Sequence, residues 1–354
     1  MKRFLHFGLL LAMLLGMVSY AIPASASTPQ QYFVLVGSEN TSKGVSIMSF
    51  FPHTVRIHPG DSITWKINTH EPHTVTFLAG SSLESLIIPA PSGMDSPLQL
   101  NPEAFFTIAP ANGQYDGSTY VNSGFMTLDP GAPTSFSLTF TKAGVFNYVC
   151  YIHGEMMSGT IEVVGSGVAV PTPAQVQTQT QAELKAAWLN VPTVVAKANA
   201  QIVPPTRNSN GTFTHTITMG YESGTIVLLR FFPDRKTVLP GDTVVWKMSS
   251  VNTAPHTVTF YNGHADQPLF LIAQGQNGPV ALVNPVLLFP SLNVQQGKPL
   301  NNTDFFNSGL MLPGSDGMFS LKIGNISGTL DYECALHDTA GMTASLFVVP
   351  KGGN

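Results

Sequence analysis

One unit occurs twice in this chain, and no other feature constrains the fold as much. Phe50-Phe51-Pro52 recurs as Phe231-Phe232-Pro233, and Pro59-Gly60-Asp61 as Pro240-Gly241-Asp242. Pro72-His73-Thr74-Val75-Thr76-Phe77 recurs as Pro255-His256-Thr257-Val258-Thr259-Phe260. Asn122-Ser123-Gly124 returns as Asn307-Ser308-Gly309, and Cys150-x-x-His153 as Cys334-x-x-His337. The offsets run 181, 181, 183, 185 and 184, steady over a long stretch. Such a period is far too long for a solenoid and implies a duplicated domain. Each half of the 354 residues is large enough to bury its own core without disulfide staples.

Within each copy, apolar residues alternate as in strands. Ile63, Trp65 and Ile67 share one face, as do Phe136, Leu138 and Phe140. The first copy reads as extended over 31–36, 44–50, 53–57, 62–67, 73–79, 134–140, 145–150 and 158–164. The second matches over 213–219, 225–231, 236–239, 242–248, 256–261, 317–323, 328–334 and 343–349. About eight short strands joined by turns imply a sandwich or barrel. Residues 80–130 and 262–312 are long Pro/Gly/Asn-rich insertions, expected as functional loops or covers. Residues 166–210, rich in Pro, Gln and Thr, read as a linker, with room for a short helix over 181–189. The N-terminus pairs Lys2 and Arg3 with an apolar run and the small-residue site Ala24-Ser25-Ala26, so 1–26 reads as an export signal. Left uncleaved, it would be an N-terminal tether. No later segment is apolar enough to span a membrane. Net charge is −4, against a nucleic-acid partner.

The chain has two cysteines, one per copy, each with two histidines and a methionine at matching positions. His73, Cys150, His153 and Met157 form the first set; His256, Cys334, His337 and Met342 form the second. Two imidazoles, a thiolate and a weak thioether suit a blue copper site, whereas zinc gains little from a thioether. The competing reading is a pair of buried free thiols or one interdomain disulfide, which leaves the repeated His and Met unexplained. Tyr148, Tyr332, Trp65 and Trp246 read as core. His53, His58, His70, His215 and His264 do not recur and read as solvated, with an interdomain metal site as the alternative.

Both copies resemble cupredoxins of the plastocyanin/azurin type. The resemblance rests on Pro-His, then Tyr148-Val149-Cys150 with His153, then Met157-Ser158-Gly159 before a final strand. The second copy offers Tyr332-Glu333-Cys334, His337 and Met342-Thr343-Ala344, with Ala where the family usually has Gly. The Met-x-Gly register selects Met157 over Met156. Thr74 and Thr257 stand where well-known members have Asn, and their hydroxyls are candidates for tying the ligand loops together. The resemblance implies an all-β chain of two tandem Greek-key β-sandwich domains, 27–165 and 211–354. It also implies two type 1 copper ions, one per domain, and redox proteins as donor and acceptor, docking near the solvent edge of His153 or His337. With the export signal, that places the protein in the periplasm or outside the cell.

Two other functions compete with electron transfer. Two-domain nitrite reductases and small laccases are also built from such domains, but they carry a His beside the ligand Cys. Here Cys150 lies between Val149 and Tyr151, Cys334 between Glu333 and Ala335, and no His-x-His occurs. No catalytic residue is therefore assigned. Copper storage or delivery would favour Met- or His-rich clusters, and Met156-Met157 is the one adjacent Met pair.

Overall fold

The computed structural model describes residues 28–314 and 317–350; the export signal expected over 1–26 lies outside them. The expected strands form with ends within a few residues of their predicted limits. In the first copy, one sheet runs in the order Val45–Phe51, Gln31–Asn40, Ser62–Ile67, Ser135–Phe140, Gln114–Tyr115. The facing sheet runs Thr54–Ile57, Gly154–Val163, Gly144–Cys150, Thr76–Phe77, Val121–Asn122. The second copy repeats both layers. Alternation along Ser62–Ile67 and Ser135–Phe140 sends Trp65 and Leu138 inward, where they are buried. Trp65 packs against Phe77 and Tyr148 at 5.7 and 5.3 Å between ring centroids, and Trp246 against Phe260 and Tyr332 at 5.9 and 5.6 Å. These aromatics are core, as expected.

The two expected strands that carry the first histidine shrink to Thr76–Phe77 and Thr259–Phe260. His73 and His256 stand just outside them, on isolated bridges to Met126 and Met311. The chain leaves regular pairing here to aim an imidazole at the site.

Two features join the copies. Ile226–Phe232 pairs antiparallel with Val45–Phe51, so the first sheets of both copies fuse into one of ten strands. The insertions also pair with each other: Gly278–Val283 and Leu98–Leu100 are the inner strands of a four-stranded sheet built from both copies. The insertions are thus interdomain structure rather than separate loops.

The linker 166–210 holds more helix than the short segment expected over 181–189. A helix spans Pro173–Leu189 and a second spans Val191–Asn199. Thr172 and Gln175 form a capping box with Pro173 at the first turn, a local signal that outweighs the polar composition. Val191, Val194 and Ala198 bury against Val45, Ile47, Ile226, Leu228 and Phe232. The Trp188 indole N–H donates to Ser38 Oγ at 3.0 Å. The helices brace the seam where the copies join.

Candidate metal centres

Each ligand set converges. Cys150 Sγ lies 3.3 Å from His153 Nδ1 and 3.8 Å from His73 Nδ1, and the two nitrogens are 3.1 Å apart. The second set gives 3.3, 3.7 and 3.2 Å for the same pairs among Cys334, His337 and His256. These spacings suit three ligands at about 2.0–2.3 Å from one ion. Both cysteines are free and buried, which removes the disulfide alternative. Two ring nitrogens and a sulfur crowded together away from solvent are a poor arrangement for a protein alone and a good one for a soft cation.

The loops explain the convergence. Gly144–Cys150 ends on the cysteine, and the chain turns back at once through Gly154 at φ 57°. In the second copy the turn is closed by backbone bonds: His337 N–H donates to Cys334 O, and Met342 N–H to His337 O, both at 2.9 Å. Met157 and Met342 are fully buried in the same core as the cysteines. Met156 is half-buried and lines a cavity between the copies.

Thr74 and Thr257 do tie the ligand loops. The backbone N–H of each donates to its cysteine sulfur at 3.3 Å. Each hydroxyl accepts a backbone N–H from the residue after that cysteine, Tyr151 at 2.6 Å and Ala335 at 2.8 Å. The chain of bonds continues through Thr76 to Asn122 Oδ1, and through Thr259 to Asn307 Oδ1. Asn122 Nδ2 then donates to Glu103, Ala104 and Phe106 carbonyls in the insertion; Asn307 does the same to Val286, Leu287 and Phe289. The repeated Asn-Ser-Gly was visible in the sequence, but its role required the fold.

Two glycines leave room behind the first histidines. Gly37 and Gly220 adopt φ of 70° and 65° at bulges in their strands. A Cβ on Gly37 would lie 2.8 Å from His73 Nε2, and one on Gly220 would lie 2.5 Å from His256 Nε2 and collide with Asn252 Oδ1. That asparagine distinguishes the centres: its Oδ1 lies 3.1 Å from His256 Nε2, whereas buried His73 Nε2 has no hydrogen-bond partner. Sequence reading missed Asn252, whose counterpart in the first copy is Thr69.

The second histidines bear the largest correction. Neither His153 nor His337 offers a solvent edge; their side chains are 10% and 5% exposed. Their outer edges face each other across one carboxylate, Glu71, whose two oxygens lie 3.5 Å from His153 Nε2 and 3.6 Å from His337 Nε2. Burial alone would push the Glu71 carboxyl up, but the flanking His337, His153 and His73 hold it below the usual carboxylate range. Burial likewise opposes charge on His153, yet the Cys150 thiolate and Glu71 raise it to about 10. Cys150 moves the opposite way: burial disfavours its thiolate, but His153 and His73 more than offset this and lower it well below the usual thiol range. The two shifts are reciprocal: each group's charge favours the charged form of the other, the thiol pulled down and the imidazole up.

The remaining histidines divide. His70 Nδ1 pairs with Glu39 at 2.6 Å. His215, expected to be solvated, is buried, with Nε2 3.0 Å from Asp242 Oδ2. Asp242 also accepts from the Phe213 and Leu239 N–H groups, so the Pro-Gly-Asp turn anchors the start of the Phe213–Ser223 strand.

Residues 36–164 match the family of copper binding proteins described as plastocyanin/azurin. No curated protein matches the chain. Among solved structures, amicyanin from Paracoccus versutus is similar at 18% identity, covering 40% of this chain and 88% of its own, with a TM-score of 0.23. The Cu(I) form of an amicyanin mutant matches at 20% identity, covering 40% of this chain and 89% of its own, TM-score 0.23. An oxidized amicyanin mutant matches at 19% identity over 38% of this chain and 82% of its own, TM-score 0.22. No helix among the described residues is long and apolar enough to cross a membrane.

Proposed function

We propose that this chain, whose residues 36–164 match the plastocyanin/azurin family of copper binding proteins, is an exported electron carrier with two type 1 copper centres, one per copy. The observation that carries this reading is the near-identity of the two His-Cys-His sets in spacing and burial. In each, copper would be held by His73, Cys150 and His153, or by His256, Cys334 and His337, with Met157 or Met342 as the weak axial ligand. Copper bound there supplies one-electron chemistry through the Cu(I)/Cu(II) couple.

The chain's own residues favour that use. Thr74 and Thr257 hold each sulfur from behind and lock the following peptide, so the ligands are placed before any ion arrives. Burial of both sets excludes water as a further ligand, and ligands that do not move keep reorganisation small. Donor and acceptor would be redox proteins. We propose that they approach by the cavity that His153 and His337 share with Pro72, Phe125, Phe270 and Leu336, in place of the solvent edge read from the sequence. The N-terminal 1–26 segment supports export to the periplasm or beyond the cell.

The test is stoichiometric. Purified protein loaded with Cu(II) should bind two ions per chain and show intense thiolate-to-copper absorption. Cys150→Ser and Cys334→Ser should each remove one ion and part of the colour. One ion in the unsubstituted chain, or colour that survives both replacements together, refutes the two-centre reading.

A further inference from the structure

The two centres share a side chain. Glu71 is 5% exposed, and its carboxylate lies between two histidines from different copies. The corresponding place in the second copy, just before Pro255-His256, is Ala254. A feature needed by each domain for itself would occur twice; this one occurs once, where the copies meet. We propose that Glu71 is a positioning residue for both metal centres, holding the outer Nε2–H edges of His153 and His337 with one oxygen each. This rests on the copper-site reading above for the identity of the ligands.

The chemistry follows from the imidazole ring. A histidine that offers Nδ1 to a metal carries its proton on Nε2, and an acceptor at Nε2 fixes that tautomer and makes Nδ1 a stronger donor. In both sets the Nδ1 atoms face the cysteine sulfur, so the Nε2 atoms face outward. Glu71 is the acceptor placed there. Its contacts are at ion-pair distance, and buried Oε2 has no hydrogen-bond partner. Closure by less than an ångström on each side would give two charge-assisted bonds. The surroundings strengthen them: the cavity, about 340 Å³, is walled by Met48, Leu100, Phe125, Phe270 and Leu336. The insertions that pair into the interdomain sheet supply part of that wall and keep the two histidines facing the same carboxylate.

Glu71→Gln keeps the shape and removes the charge and one acceptor. Two readouts on the full chain decide the matter. In metal-free protein, the ring ¹⁵N resonances and the solvent exchange of the Nε2 proton report the protonation and hydrogen bonding of each histidine at Nε2. With Cu(II) as probe, competition against a chelator reports affinity at each centre, resolved by the Cys150→Ser and Cys334→Ser backgrounds. Shifted resonances for both His153 and His337, and affinity lowered about 10–100-fold at both centres, are expected. Unchanged His337 resonances and an unchanged second centre would overturn the proposal, leaving Glu71 as a residue of its own domain alone. Should Glu71→Gln unfold the chain, Glu71→Asp retains the charge. It should then fold and show a smaller shift at both histidines; a shift at His153 alone overturns the proposal equally. Failure of the copper reading appears separately, as missing charge-transfer absorption in the unsubstituted chain, and leaves the metal-free readout standing.

Discussion

Replacing Thr74 by Val tests whether the hydroxyl network holds the first centre. The side chains have nearly the same shape, so the substitution removes chemistry and little volume. Thr74 Oγ1 accepts the Tyr151 N–H at 2.6 Å and bonds Thr76 Oγ1 at 2.8 Å, and the site is buried. An orphaned buried N–H costs about 1–3 kcal/mol, and the lost hydroxyl bond about 1 kcal/mol more. The extra methyl offsets about 0.8 kcal/mol, leaving a net loss of about 1–3 kcal/mol. For a unit of this size that is a fall of about 2–12 °C in Tm. Thr74→Ser keeps the oxygen and gives up one methyl, so it should lose only about 1 kcal/mol. Calorimetry of the metal-free protein measures both, and hydrogen exchange at the Tyr151 amide reads the broken bond directly. If Val proves no more destabilising than Ser, or if the Tyr151 amide stays equally protected, the network does not hold the loop.

Two further outcomes follow from the fold. Gly220→Ala places a methyl against Asn252 and His256 in a left-handed backbone; the backbone term is about 1–2 kcal/mol and the overpacking about 1–3 kcal/mol. It should deplete copper from the second centre while the first keeps its full share, and metal analysis in the Cys150→Ser and Cys334→Ser backgrounds would expose the error if both centres stay filled. Asp242 is held below the usual carboxylate range: burial raises it, but bonds from His215, Phe213 and Leu239 win. Its contribution to stability is therefore present above the ordinary carboxylate range and is lost as pH falls through its lowered value. The stability gap between the native chain and Asp242→Asn, measured by denaturant melts, should be wide at neutral pH and narrow in strong acid; a gap that does not change with pH counts against this assignment.

Much of the molecule was readable in one dimension. Strand alternation around Trp65 and Trp246 depends on neighbours two residues apart, so periodicity located nearly every strand. The candidate ligands were readable because duplication placed each of them twice, and His215 was set aside because it has no twin. That filter misjudged His215, whose partner Asp242 sits 27 residues away in the turn before another strand. Composition misled over residues 166–210, where a capping box and an apolar stripe against the sheet seam build two helices from a polar sequence.

What the sequence determined by itself is local: where the strands lie, that the unit is doubled, and that each unit carries two histidines, a cysteine and a methionine at matching positions. How the units face one another was decided only in three dimensions, because docking depends on surfaces assembled from distant segments. Pairing of Val45 with Leu228, and of Gln99 with Leu282, turns the two ligand sets toward a common cavity. There Glu71, two positions from the candidate ligand His73 in its own copy and unremarkable in the sequence, meets a histidine 266 positions away, His337.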